Sequence, residues 1–194
     1  MTSQTNLQHL PADLPAPIDD GAADHLKGMR LPRLSLPSTS GAFVDLSALP
    51  RRTIVYAYPM TGVPGVPLPA GWDAIPGARG CTVESLSFKD HRAEIGELGA
   101  DVYGLSTQET DYQREMAERL HLPFEVLSDA KLELAHAMRL PTMVVDGRTL
   151  LKRLTLVVKD GTVEQVFYPV SPPDSAAATV LEWLRHLASG CGGR

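Results

Sequence analysis

Residues 53–58 read TIVYAY and are followed at once by Pro59. β-Branched and aromatic residues are enriched in strands, and a proline ends strand pairing, so this run predicts a buried strand. The stretch that follows, residues 60–80, contains five glycines and four prolines. A loop of that length inside a compact domain is usually functional or disordered. A helical pattern opens directly after the loop, at Cys81, and ends at Gly96 and Gly99.

Outward from this strand–loop–helix unit, strand and helix patterns alternate. We predict short edge strands from Leu31 onward, strands at 101–106, 124–127, 142–145, 150–158 and 163–168, and helices at 110–121, from Ser128 or Asp129 to Pro141, and from Pro172 onward. Two Asp-Gly pairs, at 146–147 and 160–161, indicate tight hairpins between the later strands. This order predicts an α/β domain with a mixed central sheet and helices on both faces.

The composition is that of an ordinary globular protein. Of 194 residues, 43% are hydrophobic and 21% are charged, which argues against a disordered chain or a coiled coil and fits one domain. The net charge of −5 lacks the basic surface of a nucleic-acid binder, and no apolar run has the length of a membrane span. Because the first residues do not resemble a secretory signal, we expect a cytoplasmic protein. We place the domain at residues 31–188, between an extended arm at 1–30 and a flexible tail at 189–194.

The chain has two cysteines, Cys81 and Cys191. Two cysteines cannot form a disulfide framework or complete a structural zinc site, and the six histidines show no metal-ligand spacing, so we expect no metal. Cys81 lies where the glycine-rich loop meets the beginning of a helix, and free N–H groups and the helix dipole stabilise a thiolate there. A nucleophilic cysteine would need the lowered pKa that such a position favours. The alternative is a buried structural cysteine.

The residues around Cys81 resemble the active-site helix of the peroxiredoxins. GCTVES at 80–85, followed by Phe88 and Asp90, is similar to the bacterioferritin-comigratory, or Q-type, branch of that family. The resemblance extends in consistent order over residues 31–187 through TIVYAYP at 53–59, GLST at 104–107, LPFEVLSD at 122–129, KRLTLVVKDG at 152–161 and VEQVFYPV at 163–170. It implies a thioredoxin-like fold, in agreement with the α/β pattern.

The same resemblance implies roles for individual residues. Cys81 matches the family's peroxidatic cysteine, and Arg153 matches the arginine that faces the thiolate from a neighbouring strand. A guanidinium stabilises both a thiolate and the charge that develops on a peroxide oxygen, although a solvent-exposed arginine at a strand end is the alternative. Glu84 matches an acidic or amide position that can orient Arg153. No metal, haem or flavin cofactor is implied.

Two departures from the family pattern concern the loop and the second thiol. The family has Pro and Thr seven and three residues before the cysteine, where this chain has Ala74 and Ala78. The nearest Pro-x-Thr is Pro59-Met60-Thr61, ahead of the long loop, so Thr61 is the candidate that folds back and donates to the thiolate or the peroxide. A simple turn residue is the alternative for Thr61.

The second departure concerns the resolving cysteine. Many Q-type members carry it five residues after the first, where this chain has Leu86. Cys191, in a glycine-rich tail, is the alternative resolving residue, but a lone terminal cysteine is more often incidental. We therefore expect a one-cysteine enzyme whose sulfenic acid is reduced by an external thiol.

The sequence thus predicts a thiol-dependent peroxidase that reduces hydrogen peroxide or small organic hydroperoxides. Its expected reductant is thioredoxin, a glutaredoxin-like protein or a low-molecular-weight thiol, and it is expected to act as a monomer or weak homodimer. The alternative is a thioredoxin-fold redox sensor or binding protein in which oxidation of Cys81 signals to a partner. A third reading, a member of the fold without activity, is disfavoured because both Cys81 and Arg153 are present.

Overall fold

A computed structural model describes residues 7–190 of the chain. The strands are β1 (Ser35–Pro37), β2 (Phe43–Asp45), β3 (Arg52–Ala57), β4 (Ala100–Ser106), β5 (Val126–Ser128), β6 (Thr142–Val145), β7 (Arg148–Leu151), β8 (Leu154–Lys159) and β9 (Thr162–Phe167). The helices are α1 (Cys81–Asp90), α2 (Arg92–Glu97), α3 (Thr110–Arg119), α4 (Glu133–Met138) and α5 (Ala176–Gly190).

A mixed five-stranded sheet forms the centre of the domain. Its strand order is β5-β4-β3-β8-β9, in which β3, β4 and β5 are parallel and β8 and β9 join antiparallel. The parallel connection from β3 to β4 needs a crossover, which the long loop, α1 and α2 supply. The predicted mixed sheet is therefore confirmed.

The run TIVYAY is hydrophobic at almost every position because both faces of β3 are covered. Ile54 and Tyr56 face a core formed with α1, α2, α3 and α5, whereas Val55 and Ala57 face a core to which α4 contributes. Strands covered on both faces show such continuous apolar runs instead of strict alternation. The predicted helices on both faces of the sheet are also confirmed.

Both Asp-Gly pairs form the predicted hairpins. Asp146-Gly147 joins β6 to β7, and Asp160-Gly161 joins β8 to β9. All four residues have positive φ, between 48° and 72°, as a two-residue turn of type I′ requires.

The structure differs from the sequence prediction at three element boundaries. The predicted strand 150–158 is two strands in different sheets, because β7 pairs with β6 while β8 pairs with β3, and the chain changes sheets at Lys152 and Arg153. The helical pattern after Cys81 is divided at His91, where the backbone leaves the helical region. The helix predicted from Ser128 or Asp129 begins later, at Glu133, although the Asp129 carboxylate still accepts two of its N–H groups.

The N-terminal end of the described chain packs onto this domain. Residues 7–29 have turns and irregular backbone, yet Ala23 and Leu26 are buried in the core. At the other end α5 includes Ser189 and Gly190, and the remainder of the predicted tail lies outside the described residues. The domain limits at 31 and 188 stay a prediction. Within residues 7–190 no helix combines the length and the apolar character that crossing a membrane requires.

Candidate active site

Cys81 is the first residue of α1 and is 3% exposed. Gly80 precedes it with a φ of 110°, a left-handed conformation that glycine adopts without strain. Any side chain at Gly80 would also collide with the Pro173 ring. The turn at Gly80 therefore directs the Cys81 thiol inward, at the end of the helix where its free N–H groups lie.

Arg153 reaches the same sulfur from the junction between β7 and β8. Its Nη2 lies 3.2 Å from the Cys81 Sγ and also lies 3.2–3.3 Å from the carbonyl oxygens of Gly77, Ala78 and Arg79. The side chain is buried, which excludes the alternative of a solvent-exposed arginine at a strand end. The planar guanidinium thus joins the thiol and the end of the long loop to the strand junction.

Glu84 completes the group from one turn further along α1. Its carboxylate accepts a hydrogen bond from Nη1 of Arg153, and its side chain is fully buried. The burial raises the pKa of Glu84 to about 7, although Arg153 acts in the opposite direction. Among the described residues, Oε1 of Glu84 and Nε of Arg153 have no hydrogen-bond partner.

The electrostatic surroundings of Cys81 differ from the sequence expectation of a lowered thiol pKa. Burial is the largest influence and raises the pKa of Cys81 above its ordinary value. Arg153 and the backbone N–H of Met60 lower this pKa, whereas the charge of Glu84 raises it further. Arg153 is therefore the main group that offsets the cost of forming a thiolate in this buried position.

The Pro59-Met60-Thr61 segment approaches the site directly after β3, but its threonine is engaged elsewhere. The Thr61 hydroxyl donates to Oε1 of Gln108 at 3.2 Å, and the Thr61 N–H donates to the same oxygen at 2.9 Å. Within the described chain no hydrogen bond joins Thr61 to Cys81. The group of this segment that faces the sulfur is the Met60 backbone N–H.

Two residues that hold Thr61 were missed by the sequence reasoning. The amide of Gln108 donates to the Thr61 carbonyl at 3.1 Å, and so does the Tyr112 hydroxyl, also at 3.1 Å. Gln108 follows β4, the parallel neighbour of β3, and the ends of parallel neighbours meet at one sheet edge. That adjacency was the signal that could have identified Gln108.

The long loop packs against the β6–β7 hairpin. Trp72 is buried with Met60, Ala78, Val145 and Leu150 in a small apolar cluster. This cluster holds the loop in place after Thr61, so that its end meets Arg153 and Cys81.

Of the candidate resolving positions, Leu86 lies on α1 itself and packs, partly buried, against the core. Cys191 lies outside the described residues. Between residues 7 and 190, no three His, Cys, Asp or Glu side chains cluster as metal ligands.

The chain is similar in sequence and in fold to known proteins. The Redoxin family model matches residues 26–181. Peroxiredoxin Bcp of Escherichia coli (strain K12) is 28% identical over 162 residues, covering 81% of this chain and 94% of that protein. The chloroplastic peroxiredoxin Q of Oryza sativa subsp. japonica is 27% identical over 163 residues, covering 83% of this chain and 67% of that protein.

A solved structure agrees with these relatives. The crystal structure of peroxidoxin BcpB from Mycobacterium tuberculosis superposes with a TM-score of 0.69 at 27% identity, covering 84% of this chain and 99% of that one. The predicted thioredoxin-like fold and the predicted peroxiredoxin resemblance are both confirmed. The chain therefore belongs to the Redoxin family, in which it is a peroxiredoxin related to the Q and Bcp branch.

Proposed function

We propose that Cys81 is the residue through which this thiol-dependent peroxidase reduces its substrate. The single observation that carries the assignment is the buried contact of 3.2 Å between Nη2 of Arg153 and the Cys81 sulfur. A thiolate is the reactive form of cysteine, and in a buried position it needs a fixed positive charge beside it. Arg153 supplies that charge.

The proposed reaction begins when the Cys81 thiol loses its proton to solvent. The thiolate attacks the terminal oxygen of the hydroperoxide, so that an S–O bond forms and the O–O bond breaks. The other oxygen leaves with the electron pair and takes up a proton as water or an alcohol. Arg153 stabilises the thiolate before the attack and the negative charge on the oxygens during it.

Neighbouring groups position these two residues. Glu84 holds Arg153 through Nη1, which leaves Nη2 directed toward the sulfur. Pro59, which has no N–H to donate, follows the last N–H that pairs with β4, that of Tyr58. Gln108 holds Thr61, and the backbone N–H of Met60, between Pro59 and Thr61, faces Cys81. We propose that Thr61 helps to position the Met60 N–H beside the sulfur. Once a peroxide displaces Gln108, the Thr61 hydroxyl donates a hydrogen bond to the peroxide.

The sulfenic acid is proposed to be reduced by an external thiol. A first thiol forms a mixed disulfide with Cys81 and releases water, and a second thiol releases the Cys81 thiol as the external disulfide forms. Leu86 offers no thiol at the usual resolving position, which supports one-cysteine chemistry. Thioredoxin, a glutaredoxin-like protein and a low-molecular-weight thiol are the proposed reductants, and a monomer or weak homodimer the proposed assembly.

Two matched variants test this proposal. Cys81→Ser should abolish peroxide consumption in the presence of a thiol donor, because a hydroxyl does not ionise near neutral pH. Cys191→Ser should consume peroxide as the parent does. In both the parent and Cys191→Ser, intact-protein mass spectrometry should find one added oxygen after one equivalent of peroxide and a second in excess, since no disulfide protects the sulfenate.

The opposite results would contradict the assignment. Continued turnover by Cys81→Ser would remove Cys81 from the reaction. A mass lower by two hydrogens in the oxidised parent, absent from Cys191→Ser, would make Cys191 the resolving residue.

A further inference from the structure

A segment that precedes the family match lies across the candidate active site. We define the strap as residues 7–20; the Redoxin match begins at residue 26. The side chain of Leu7 lies beside Gly62, and that of Leu10 lies beside Gly80, the residue before Cys81. A methyl group at either glycine would lie only 3.1 Å from the leucine side chain, which is closer than ordinary van der Waals contact. The strap leucines therefore pack directly against the backbone of the loop.

The strap has an inner apolar side and an exposed side. Leu7, Leu10, Leu14 and Pro17 are partly buried, whereas Gln8, His9 and Asp13 are exposed. Its far end is attached by Asp20, which accepts hydrogen bonds from the Lys152 ammonium at 2.6 Å and from the Tyr168 hydroxyl at 2.7 Å. Lys152 is the chain neighbour of Arg153, so the attachment is beside the active site.

Two cavities lie beneath the strap, and Arg153 lines both. The first, of about 170 Å³, has Leu10, Leu14 and Pro17 on the strap side and Ile75 and Pro173 opposite. The second, of about 240 Å³, has Pro17 and Ile18 on the strap side and Ile75, Met143 and Tyr168 opposite. Their walls are largely apolar, and the cationic side chains in them are Arg153 in both, Arg79 in the first and Lys152 in the second. An apolar wall with a few polar groups is the arrangement that recognises a ligand with a polar head and an apolar body.

We propose that the strap and the active-site loop together form the binding site for the apolar part of an organic hydroperoxide. This inference rests on the proposed function, because the hydroperoxide group must lie at Arg153 and Cys81. Nη2 of Arg153 is 3.2 Å from the sulfur, so an oxygen held by this guanidinium is within reach of the thiol. The apolar substituent then lies under Leu10, Leu14, Pro17 and Ile18.

The chemistry is the same as for hydrogen peroxide, but the leaving group differs. The Cys81 sulfur forms a bond to the terminal oxygen, the O–O bond breaks, and the alkoxide takes up a proton from solvent to leave as the alcohol. Apolar contacts with the strap add binding for the organic substrate and none for hydrogen peroxide, which has no apolar part. The strap is therefore expected to set the preference between the two substrates.

Strap variants test this preference without touching the proposed catalytic residues. Leu14→Asn changes the wall of the first cavity, and Ile18→Asn changes the wall of the second at a residue that is 85% exposed. Phe43→Asn is the matched control, because Phe43 is 71% exposed on β2 and lines neither cavity. The measurement is the rate constant for oxidation of Cys81 by cumene hydroperoxide and by hydrogen peroxide.

We expect either strap variant to lower the rate constant with cumene hydroperoxide about tenfold. The rate constant with hydrogen peroxide should change by less than about twofold, and Phe43→Asn should change neither. An unchanged ratio, or an equal loss with both peroxides, would overturn the strap proposal. A faster reaction with cumene hydroperoxide would also overturn it, since the strap would then be a barrier.

The parent protein separates failure of this inference from failure of the proposed function. If neither peroxide oxidises Cys81 in the parent, the proposed function is wrong. If hydrogen peroxide oxidises the parent and cumene hydroperoxide does not, Cys81 keeps its role and the strap proposal alone is wrong.

Discussion

The Cys81–Arg153–Glu84 group and the strap are adjacent, but different kinds of interaction hold them in place. Each of the three residues in the first group is at most 3% exposed, and their contacts are a buried ion pair and a hydrogen bond to sulfur. The strap contacts the loop through partly exposed apolar side chains and is attached through the exposed Asp20–Lys152 pair. The first region lies within the Redoxin match and the second precedes it.

This difference separates reactivity from selection. A charge removed from the buried group leaves its partner unpaired in a low dielectric, so rate and stability should fall together. A change in the strap alters contacts that water can replace, so stability should hardly change while substrate preference does. Each of the following experiments tests one side of this contrast.

The largest effect is expected from Arg153→Met. Removing the positive charge 3.2 Å from the sulfur should raise the pKa of Cys81 further and slow its oxidation by about a hundredfold or more. The unpaired Glu84 should also cost about 3–5 kcal/mol of unfolding free energy. Stopped-flow oxidation as a function of pH should show the rate rising at a higher pH than in the parent.

Two companion variants separate the rate effect from the stability effect. Arg153→Lys keeps the charge but not the planar fork, and should fall between the parent and Arg153→Met. The double variant Arg153→Met with Glu84→Gln removes both buried charges, so it should recover stability without recovering rate. If Arg153→Met oxidised as fast as the parent at every pH, Arg153 would have only a structural role.

A smaller effect with a defined pH dependence is expected from Glu84→Gln. The folded pKa of Glu84, about 7, lies above its ordinary value near 4.5. Between these values the folded state holds a proton that the unfolded state has lost, so this group makes folding less favourable as pH rises. The stability advantage of the parent over Glu84→Gln should shrink by about 2 kcal/mol between pH 5 and pH 7, as urea unfolding would measure.

The same variant should also change the thiol. Because the charge of Glu84 raises the pKa of Cys81, Glu84→Gln should lower that pKa in a thiolate titration. Glu94→Gln is the control, since Glu94 pairs with Arg185 on the exposed side of α2 and should affect neither property. A pH-independent stability difference, together with an unchanged thiol pKa, would show that Glu84 does not titrate as described.

The sequence predicted those parts of the fold that short-range signals specify. TIVYAY specifies the central strand, and each Asp-Gly pair specifies one hairpin. Each of these signals lies in a few adjacent residues. The break at Lys152–Arg153 was missed because LLKRLTLVV reads as one strand. The run is divided only by its strand pairing, because its first part (β7) pairs with β6 and its second part (β8) pairs with β3.

The candidate site was predictable where family resemblance and local chemistry coincide, at Cys81, Glu84 and Arg153. Gln108 was missed because its contact with Thr61 joins residues far apart in the chain, across the ends of two parallel strands. The pKa direction of Cys81 was also missed, since the sequence indicates a helix N-terminus and does not show how deeply the thiol is buried. The sequence predicts residues 1–30 only as an extended arm, because leucines scattered among Pro, Asp and Ala residues do not indicate which part of the domain they contact.

The smallest effect is expected from Asp20→Asn, which weakens the attachment of the strap. Hydrogen bonds from Lys152 and Tyr168 hold the pKa of Asp20 well below its usual range, so the carboxylate remains charged throughout the neutral range. Because the pair is exposed, its attraction is screened by solvent and salt, and the melting temperature should not change measurably. Hydrogen exchange of the strap amides should nevertheless become several-fold faster, since the Asp20 contacts are among those that local opening has to break.

The control for this last experiment is Asp19→Asn, because the Asp19 carboxylate accepts only a local hydrogen bond from Gly21 among the described residues. In Asp19→Asn the strap amides should exchange as fast as in the parent. High salt should bring the parent toward Asp20→Asn and leave that variant unchanged. The difference between the parent and Asp20→Asn should persist from neutral pH down to about pH 4, because a carboxylate with a lowered folded pKa loses its contribution only in stronger acid.

Equal exchange in all three proteins would mean that the apolar contacts of Leu7, Leu10 and Leu14 hold the strap without Asp20. The contrast with the buried group would then lie in packing alone and not in charge.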